Sequence, residues 1–152
     1  MAKDRAAIVI LNPAPARKLP AALLRSIDYL TPNETETELL TGMPVRSLSS
    51  GERAAHKLLD AGVKNVILTM GVKGALLVNR ETTKLFPTIK TKAIDTTAAG
   101  DAFNGALACA LAQGSSLYEA IPFANRVAAF SVTRVGAQSS MPTMKDLEAF
   151  AD

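Results

Sequence analysis

The 152-residue sequence contains one cysteine, one histidine and no tryptophan. The single cysteine, Cys109, excludes an internal disulfide framework and suits a reducing compartment, and we expect it to pack as a small apolar group. The single histidine, His56, excludes a metal site built from several histidines, and we expect it at the surface. No apolar run approaches the roughly 20 residues needed to cross a bilayer, and the N-terminal apolar stretch is too short for a secretion signal. We therefore predict a cytoplasmic protein.

Charge and aromatic content are both modest. Seventeen lysine and arginine residues against fourteen aspartate and glutamate residues give a net charge of +3, and the basic residues are scattered. Two tyrosines and five phenylalanines provide few rings on which bases could stack. We predict neither a nucleic-acid partner nor a membrane partner, whereas the mild basicity is compatible with a small anionic ligand.

Apolar runs and helical periodicities alternate along the chain. Continuous apolar runs are typical of strands buried on both faces of a parallel sheet. This alternation predicts an α/β fold with a mainly parallel sheet, in one domain that spans residues 1–152. The predicted strands are residues 6–11, 28–30, 65–69, 75–78 and 83–87, and the predicted helices are residues 21–27, 34–42, 51–61, 102–113, 118–135 and 143–150.

Two of these helices carry more specific predictions. Ser49 and Glu52 have the spacing of a capping box for the helix at 51–61, and Gly62 is expected to end it. Pro122 lacks the N–H group that a helix interior uses, so it is expected to kink the helix at 118–135 or to delay its start.

The residues from Asp95 to Phe103 directly precede an alanine-rich helix. Small residues at a helix start let backbone N–H groups approach an anion closely, and the helix dipole favours negative charge there. Asp101 falls in the first turn, where we expect its carboxylate to be ionised and able to accept a proton. An anion cradle beside a base is the pairing that phosphoryl transfer to a hydroxyl needs. The alternative is that Asp101 only complements the dipole, while Asp95 or Thr97 caps the helix.

Two further stretches have both a structural and a functional interpretation. Asn33 and Glu36 match a capping box, and an amide and a carboxylate there could also hold hydrated Mg²⁺ near phosphates. Residues 69–74 follow a buried strand, where α/β sheets bind ligands, but they are also typical of a hairpin turn. Neither a Walker A sequence nor G-x-G-x-x-G is present, so the P-loop and Rossmann nucleotide sites lack support.

The residues from Asp95 to Asp101 (Asp-Thr-Thr-Ala-Ala-Gly-Asp) resemble the second signature of the ribokinase-like (PfkB) carbohydrate kinases. Residues 12–17, 31–36 and 135–138 are similar to the ribokinase branch of that family, and the resemblance covers practically the whole chain in the family's order. It implies a partial three-layer α/β/α sandwich that forms the C-terminal, nucleotide-binding half of such a kinase. The N-terminal strands and the lid through which the family forms homodimers are missing from this sequence.

The resemblance also implies roles for individual residues. Asp101 corresponds to the base that binds the sugar's primary hydroxyl and takes its proton. Asn33 and Glu36 correspond to the motif that organises the nucleotide phosphates and Mg²⁺, with water between Glu36 and the metal. The backbone of Ala98, Ala99 and Gly100 corresponds to the anion hole for the γ-phosphate. The nucleotide contacts of the family correspond to Thr69, Met70, Gly71, Val72, Lys73, Gly74 and Asn125.

A site for an activating monovalent cation, K⁺, is implied beside the anion hole. Most members of this set would act through main-chain carbonyls, so their side chains carry little information. The corresponding positions are Asp95, Thr97, Ser131, Arg134, Gly136 and Ser140.

The implied reaction is transfer of the γ-phosphate of ATP to the primary hydroxyl of D-ribose. Because the family's sugar contacts and lid lie outside this sequence, we expect weak activity or none from this chain alone. Three alternatives stay open. They are a non-catalytic nucleotide-binding fragment, a kinase for fructose, a nucleoside or an aminoimidazole riboside, and a structural α/β domain whose motifs are only caps and turns.

Overall fold

The computed structural model describes residues 7–150, and its strands form one mixed sheet. The order of the strands in the sheet is their order in the chain: β1 (Ile10–Leu11), β2 (Tyr29–Leu30), β3 (Asn65–Thr69), β4 (Ala75–Val78) and β5 (Thr83–Phe86). β1 pairs with β2 and β2 pairs with β3 in parallel, whereas β3 and β4 form an antiparallel pair. The predicted α/β fold is therefore confirmed, and its sheet combines parallel pairing with an antiparallel hairpin.

Helices of four to fifteen residues alternate with or follow these strands. They are α1 (Ala21–Leu24), α2 (Glu34–Thr41), α3 (Leu48–Asp60), α4 (Ala99–Ala112), α5 (Leu117–Ser131) and α6 (Met144–Ala149). Within residues 7–150, no helix combines the length and the apolar character that a membrane span requires.

The chain divides into two compact units. The first unit comprises the chain up to Met70 together with Ala75–Leu85, and the second comprises Gly71–Gly74 together with the chain from Phe86 onward. In the first unit the core lies between α3 and the strands β3 and β4. α3 contributes an apolar face at helical spacing, because Ala54, Ala55, Leu58 and Leu59 are all buried.

The core of the second unit is built from small residues on α4 and α5, which pack against each other. Ala102, Ala106 and Ala110 repeat every fourth residue on α4, so they lie on one face, and all three are buried. Ala120 and Ala124 are buried in the same way on α5. Small side chains at these positions let the backbone of one helix approach the other closely, which fixes the position of the first turn of α4.

Several predicted boundaries are wrong. α3 begins at Leu48 after the cap Ser47, whose partner in the capping box is Ser50, so the predicted box of Ser49 and Glu52 is not formed. α5 begins at Leu117 with Pro122 inside it, so the proline does not delay its start. The helix also ends at Ser131, four residues before the predicted end, and α1 ends at Leu24.

The first strand, the single cysteine and the single histidine agree only in part with their predictions. Of the strand predicted at 6–11, only Ile10–Leu11 pairs as β1, and residue 6 lies outside the described residues. Cys109 is exposed on α4, so the prediction that it packs inside is wrong, whereas His56 is exposed as predicted.

Candidate active site

The predicted site residues are divided between the two units. The first unit contains Asn33 and Glu36 at the start of α2, and Thr69 and Met70 at the end of β3. The second unit contains the turn Gly71–Gly74 and all the predicted positions from Asp95 onward.

In the first unit, Asn33, Glu36 and Thr69 are neighbours. The side chain of Asn33 accepts a hydrogen bond from the Glu36 N–H at 2.8 Å, and Glu36 Oε2 accepts one from the Asn33 N–H at 2.8 Å. Asn33 and Thr69 form a parallel β-bridge, and the Thr69 N–H donates to the Pro32 carbonyl at 2.9 Å. The capping box is thus present, and it places an amide and a carboxylate beside the carboxyl end of β3.

Met70 and the turn that follows it differ sharply in exposure. The Met70 side chain is buried in the core of the first unit, so only its backbone is available to a ligand. Gly71–Lys73 form a short 3₁₀ turn, closed by a hydrogen bond from the Gly74 N–H to the Gly71 carbonyl at 3.0 Å. Val72 is 90% exposed and Lys73 is exposed, so the turn presents both to solvent.

The first turn of α4 has no side-chain cap. Its N-cap residue is Ala98, whose side chain cannot accept a hydrogen bond, and no other side chain takes that place. The alternative in which Asp95 or Thr97 caps this helix is therefore wrong. A Cβ placed on Gly100 would meet no atom within 4 Å, so the surface in front of this turn is open. Backbone N–H groups at such a helix start are ready to bind an anion.

Asp101 is exposed in this same turn, and it is the only acidic residue there. Next to it, Asn104 Nδ2 donates to the Gly100 carbonyl at 2.8 Å. A second donor on that carbonyl polarises the peptide that carries the Asp101 N–H. Asn104 was not identified from the sequence, where an asparagine inside a helix has no distinctive pattern.

Asp95 lies three residues before Ala98 and holds two segments together. Its Oδ2 accepts the Gly136 N–H at 2.9 Å, and its Oδ1 accepts both the N–H of Thr97, at 2.9 Å, and the Thr97 hydroxyl. These bonds, from the Thr97 hydroxyl first and then from the N–H groups of Gly136 and Thr97, lower the pKa of the Asp95 carboxyl to about 2. The structure thus brings Asp95, Thr97 and Gly136 together.

The side chains of the other predicted cation positions are occupied elsewhere. The Ser131 hydroxyl donates to the Ala128 carbonyl at 2.9 Å, and the Ser140 hydroxyl donates to the Ala137 carbonyl at 2.7 Å. Arg134 pairs with Asp146 at 3.1 Å. Any role for Ser131, Arg134 and Ser140 at a cation therefore falls to their main-chain carbonyls, as the resemblance implies.

Among the described residues, a divalent metal site made only of side chains is not apparent. No group of three or more histidine, cysteine, aspartate or glutamate residues is arranged to hold a metal ion within residues 7–150. The donors that are present are carboxylate and carbonyl oxygens, which suit Mg²⁺ and alkali cations and not softer transition metals.

Asn125 is buried on α5, with 5% of its surface exposed. Its Nδ2 donates to the Phe86 carbonyl at 2.8 Å and lies 3.4 Å from the Pro87 carbonyl. The Thr88 hydroxyl donates back to the Asn125 carbonyl at 3.3 Å. These contacts fasten the segment that follows β5 to α5.

The family model for pfkB family carbohydrate kinases matches residues 1–144 of the sequence. The chain belongs to the pfkB family of carbohydrate kinases.

Curated relatives of this pfkB-family chain include a ribokinase and a deoxyribokinase. A ribokinase from Haemophilus influenzae is 44% identical over 152 residues, which cover 100% of this chain and 50% of the relative. A deoxyribokinase from Salmonella typhi is 43% identical over 143 residues, covering 93% of this chain and 47% of the relative. The chain therefore spans about half the length of the curated relatives it matches.

Several solved structures share this fold over nearly the whole chain. A ribokinase from Thermotoga maritima superimposes with a TM-score of 0.89 at 51% identity, covering 98% of this chain and 50% of that one. An Arabidopsis thaliana ribokinase in complex with ribose and ATP gives 0.92 at 37% identity, over 97% of this chain and 48% of that one. A putative ribokinase II from Escherichia coli, in complex with ATP and Mg²⁺, gives 0.78 at 25% identity, over 97% and 49%.

Proposed function

We propose that this chain is the C-terminal, nucleotide-binding part of a kinase that transfers the γ-phosphate of ATP to the primary hydroxyl of D-ribose. The observation that carries the proposal is the start of α4, where an uncapped first turn with open space at Gly100 also bears the exposed carboxylate of Asp101. The ribokinases among its relatives and structural neighbours support ribose as the acceptor.

In this proposal the first turn of α4 holds the transferred group. The backbone N–H of Gly100, with Ala98 as a side chain too small to interfere, binds the γ-phosphate oxygens as negative charge builds on them. The N–H of Ala99 donates to the Thr96 carbonyl at 3.2 Å in the free protein and joins Gly100 when the phosphate is bound. Asp101 accepts the proton of the sugar hydroxyl while that oxygen forms its bond to phosphorus and the bond from phosphorus to ADP breaks. Positioning and charge stabilisation supply most of the rate, because an aspartate is a weak base.

The nucleotide is assigned to the residues of the predicted phosphate motif and turn. Asn33 and Glu36 face the phosphates, and the backbone of Thr69–Gly74 lies along ATP, with Val72 and Lys73 as its exposed part. Mg²⁺, when bound, neutralises phosphate charge. Glu36 suits it through water, because its Oε2 already accepts the Asn33 N–H and its other oxygen, Oε1, can accept from the metal's hydration shell. ATP complexes of related ribokinases, one of which also contains Mg²⁺, support these assignments.

A K⁺ site beside the anion hole belongs to the same proposal. Asp95 and Thr97 precede the anion-hole residues, and Gly136 is bonded to Asp95. Carboxylate and carbonyl oxygens fit a large, weakly hydrated cation, which would fix the loop that enters α4. The other carbonyls of this proposed site are those of Ser131, Arg134 and Ser140. A cytoplasmic location and dimerisation through a lid outside this chain complete the proposal.

A second candidate differs in the acceptor alone. The Salmonella typhi relative is named a deoxyribokinase and matches this chain about as well as the Haemophilus ribokinase does. The residues that choose the sugar are expected outside this chain, so the same nucleotide half could serve a 2-deoxy sugar.

The deciding experiment uses the full-length kinase to which the proposal assigns this chain, because weak activity or none is expected from the chain alone. Titration calorimetry with ATP and Mg²⁺ measures nucleotide binding, and a coupled ADP-release assay compares D-ribose, 2-deoxy-D-ribose, D-fructose and a nucleoside as acceptors. Preferred turnover of ribose supports the proposal, and preferred turnover of 2-deoxyribose supports the second candidate. Nucleotide binding without any turnover would make this a binding module. The absence of nucleotide binding would leave a structural domain and contradict both candidates.

A further inference from the structure

The buried amide of Asn125 on α5 contacts backbone that lies next to the turn proposed to run along ATP. Asn125 exposes 5% of its surface, so little of its side chain is available to a ligand. Its amide nitrogen lies within hydrogen-bond distance of two backbone carbonyls, those of Phe86 at 2.8 Å and Pro87 at 3.4 Å. The side chain therefore acts first on the backbone of residues 86–87.

That backbone is in turn in close contact with Gly74. A Cβ added to Gly74 would lie 2.1 Å from the Phe86 carbonyl oxygen, 2.7 Å from the Thr88 nitrogen and 2.8 Å from the Pro87 carbonyl carbon. Gly74 also has φ of +97°, a conformation that other residues rarely adopt. The turn Gly71–Gly74 thus lies directly on residues 86–88, and its geometry depends on theirs.

We propose that Asn125 is a positioning residue for the nucleotide-binding turn, which it holds in place through the carbonyls of Phe86 and Pro87 and the close contact of residues 86–88 with Gly74. The inference rests on the proposed function for the statement that this turn binds ATP. The mechanical link from Asn125 to Gly74 rests on the contacts alone. The resemblance had assigned Asn125 a contact with the nucleotide, and the proposed role reaches the nucleotide through Gly74 instead.

The chemistry of the contact selects an amide at position 125. The buried Phe86 carbonyl needs a donor, and an asparagine amide provides one N–H for it and a second for the more exposed Pro87 carbonyl. An aspartate of the same shape would place its carboxylate oxygens against these carbonyl oxygens, and an alanine would leave the buried Phe86 carbonyl without its donor. The hydrogen bond from the Thr88 hydroxyl to the Asn125 carbonyl, at 3.3 Å, fastens the segment from its other side.

The first experiment compares Asn125→Ala with the wild-type protein by two measurements. In the absence of nucleotide, amide hydrogen exchange should become faster at Gly74, whose N–H is bonded to the Gly71 carbonyl. The affinity for ATP should fall about tenfold, as expected for the loss of roughly one net hydrogen bond. The KM for ATP should rise while kcat changes far less, because the start of α4 is untouched.

A direct contact with the nucleotide predicts a different result. ATP affinity would then fall with unchanged exchange at Gly74 in the free protein, and that outcome would overturn the inference. Faster exchange at Gly74 with unchanged ATP affinity would also overturn it, because the position of the turn would then not affect nucleotide binding.

The second experiment is a double-mutant cycle that includes Gly74→Ala. This variant displaces the turn from residues 86–88 without altering Asn125, and it should also weaken ATP binding by tenfold or more. Once the contact at Gly74 is lost, Asn125 can no longer influence the position of the turn. The double variant should therefore bind ATP about as weakly as Gly74→Ala alone. If the fold-losses in ATP affinity of the two single variants multiply in the double variant, the two residues act independently and the inference is contradicted.

Failure of the proposed function can be distinguished from failure of this inference. If wild-type protein binds no ATP, the proposed function fails, and the exchange measurement still decides whether Asn125 holds Gly74. Should Asn125→Ala not fold, Thr88→Val provides the matched milder change, because it removes one hydroxyl and keeps the shape. It should accelerate exchange at Gly74 and weaken ATP binding in the same direction, and no effect on either would count against the proposal.

Discussion

The carboxylate of Asp95 accepts a hydrogen bond from the backbone N–H of Gly136, which lies 41 residues further along the chain, at 2.9 Å. The same carboxylate accepts two bonds from Thr97, and the N–H groups of Ile94 and Asp95 both donate to the Val132 carbonyl. The loop that enters α4 is thus tied to the end of α5 and to the turn beyond it. This arrangement is the physical basis for the first two predictions.

Replacement of Asp95 by asparagine should remove a pH-dependent part of the stability. The Asp95 pKa is lowered in the folded protein from 3.8 to about 2, so its contribution is fully present above about pH 4 and is lost as the pH falls through 2. In urea unfolding, the stability difference between wild type and Asp95→Asn should be constant above pH 4 and should shrink between pH 4 and pH 2. A difference that stayed constant across this range would show that the Asp95 carboxylate is not specially stabilised.

Asp95→Asn should also remove the response to K⁺. At constant ionic strength maintained with tetramethylammonium chloride, added KCl should raise the rate of the proposed phosphoryl transfer in the wild-type protein, and NaCl should raise it less. The variant loses the negative charge that attracts the cation, so its rate should not depend on KCl. A potassium response of equal size in Asp95→Asn would remove Asp95 from the cation site.

Asp101→Asn should abolish turnover and leave nucleotide binding nearly intact. The amide cannot accept the hydroxyl proton, and the loss of a general base lowers kcat by about 10²–10⁴-fold. The matched control is Asp60→Asn, which makes the same chemical change at an exposed aspartate that pairs with Arg80 on the surface. Steady-state kinetics and ATP titration check the prediction, and unchanged kcat in Asp101→Asn would contradict the proposed mechanism.

Ser47→Ala should destabilise the protein, whereas Ser49→Ala should not. Ser47 caps α3 through the Ser50 N–H, and loss of such a cap costs about 1 kcal/mol. The Ser49 hydroxyl only accepts a bond from exposed Arg53, so its removal should change the free energy of unfolding by less than about 0.5 kcal/mol. Urea denaturation of the two variants measures both effects. Equal losses would mean that the cap at Ser47 is not the stabilising contact.

The serine-rich start of α3 also shows where prediction from sequence fails. The capping-box pattern requires Glu or Gln three residues after the cap, and Ser49 with Glu52 satisfies it, but the Ser50 hydroxyl accepts the Ser47 N–H at 2.9 Å instead. α5 ends early for a tertiary reason that no local pattern contains, since the carbonyl of Val132 accepts N–H groups from residues 94 and 95. By contrast, β3 and β4 were predicted with their observed bounds, because their apolar runs lie between clear turn residues.

The candidate site shows the same contrast between residues in local sequence patterns and residues whose roles depend on distant contacts. Asn33, Glu36, Thr97 and Asp101 could be proposed from the sequence because each belongs to a short motif whose members are close in sequence. Asn104 and Thr88 could not, because their roles depend on one carbonyl each, that of Gly100 and that of Asn125, and side chains of this kind occur at many positions. Gly136 was named only through the family resemblance, as a position at the implied cation site, and its hydrogen bond to Asp95 was not predicted because Gly136 has no local pattern that points to it.

The division of the chain into units has a consequence for dissection of the protein. The polypeptide passes from one unit to the other at residues 70–71, 74–75 and 85–86, because the turn Gly71–Gly74 belongs with the later half while the strands on either side of it do not. No single protease cut can therefore release either unit intact. A recombinant piece beginning at Phe86 would lack this turn, and one ending at Leu85 would carry the turn without the backbone on which it rests.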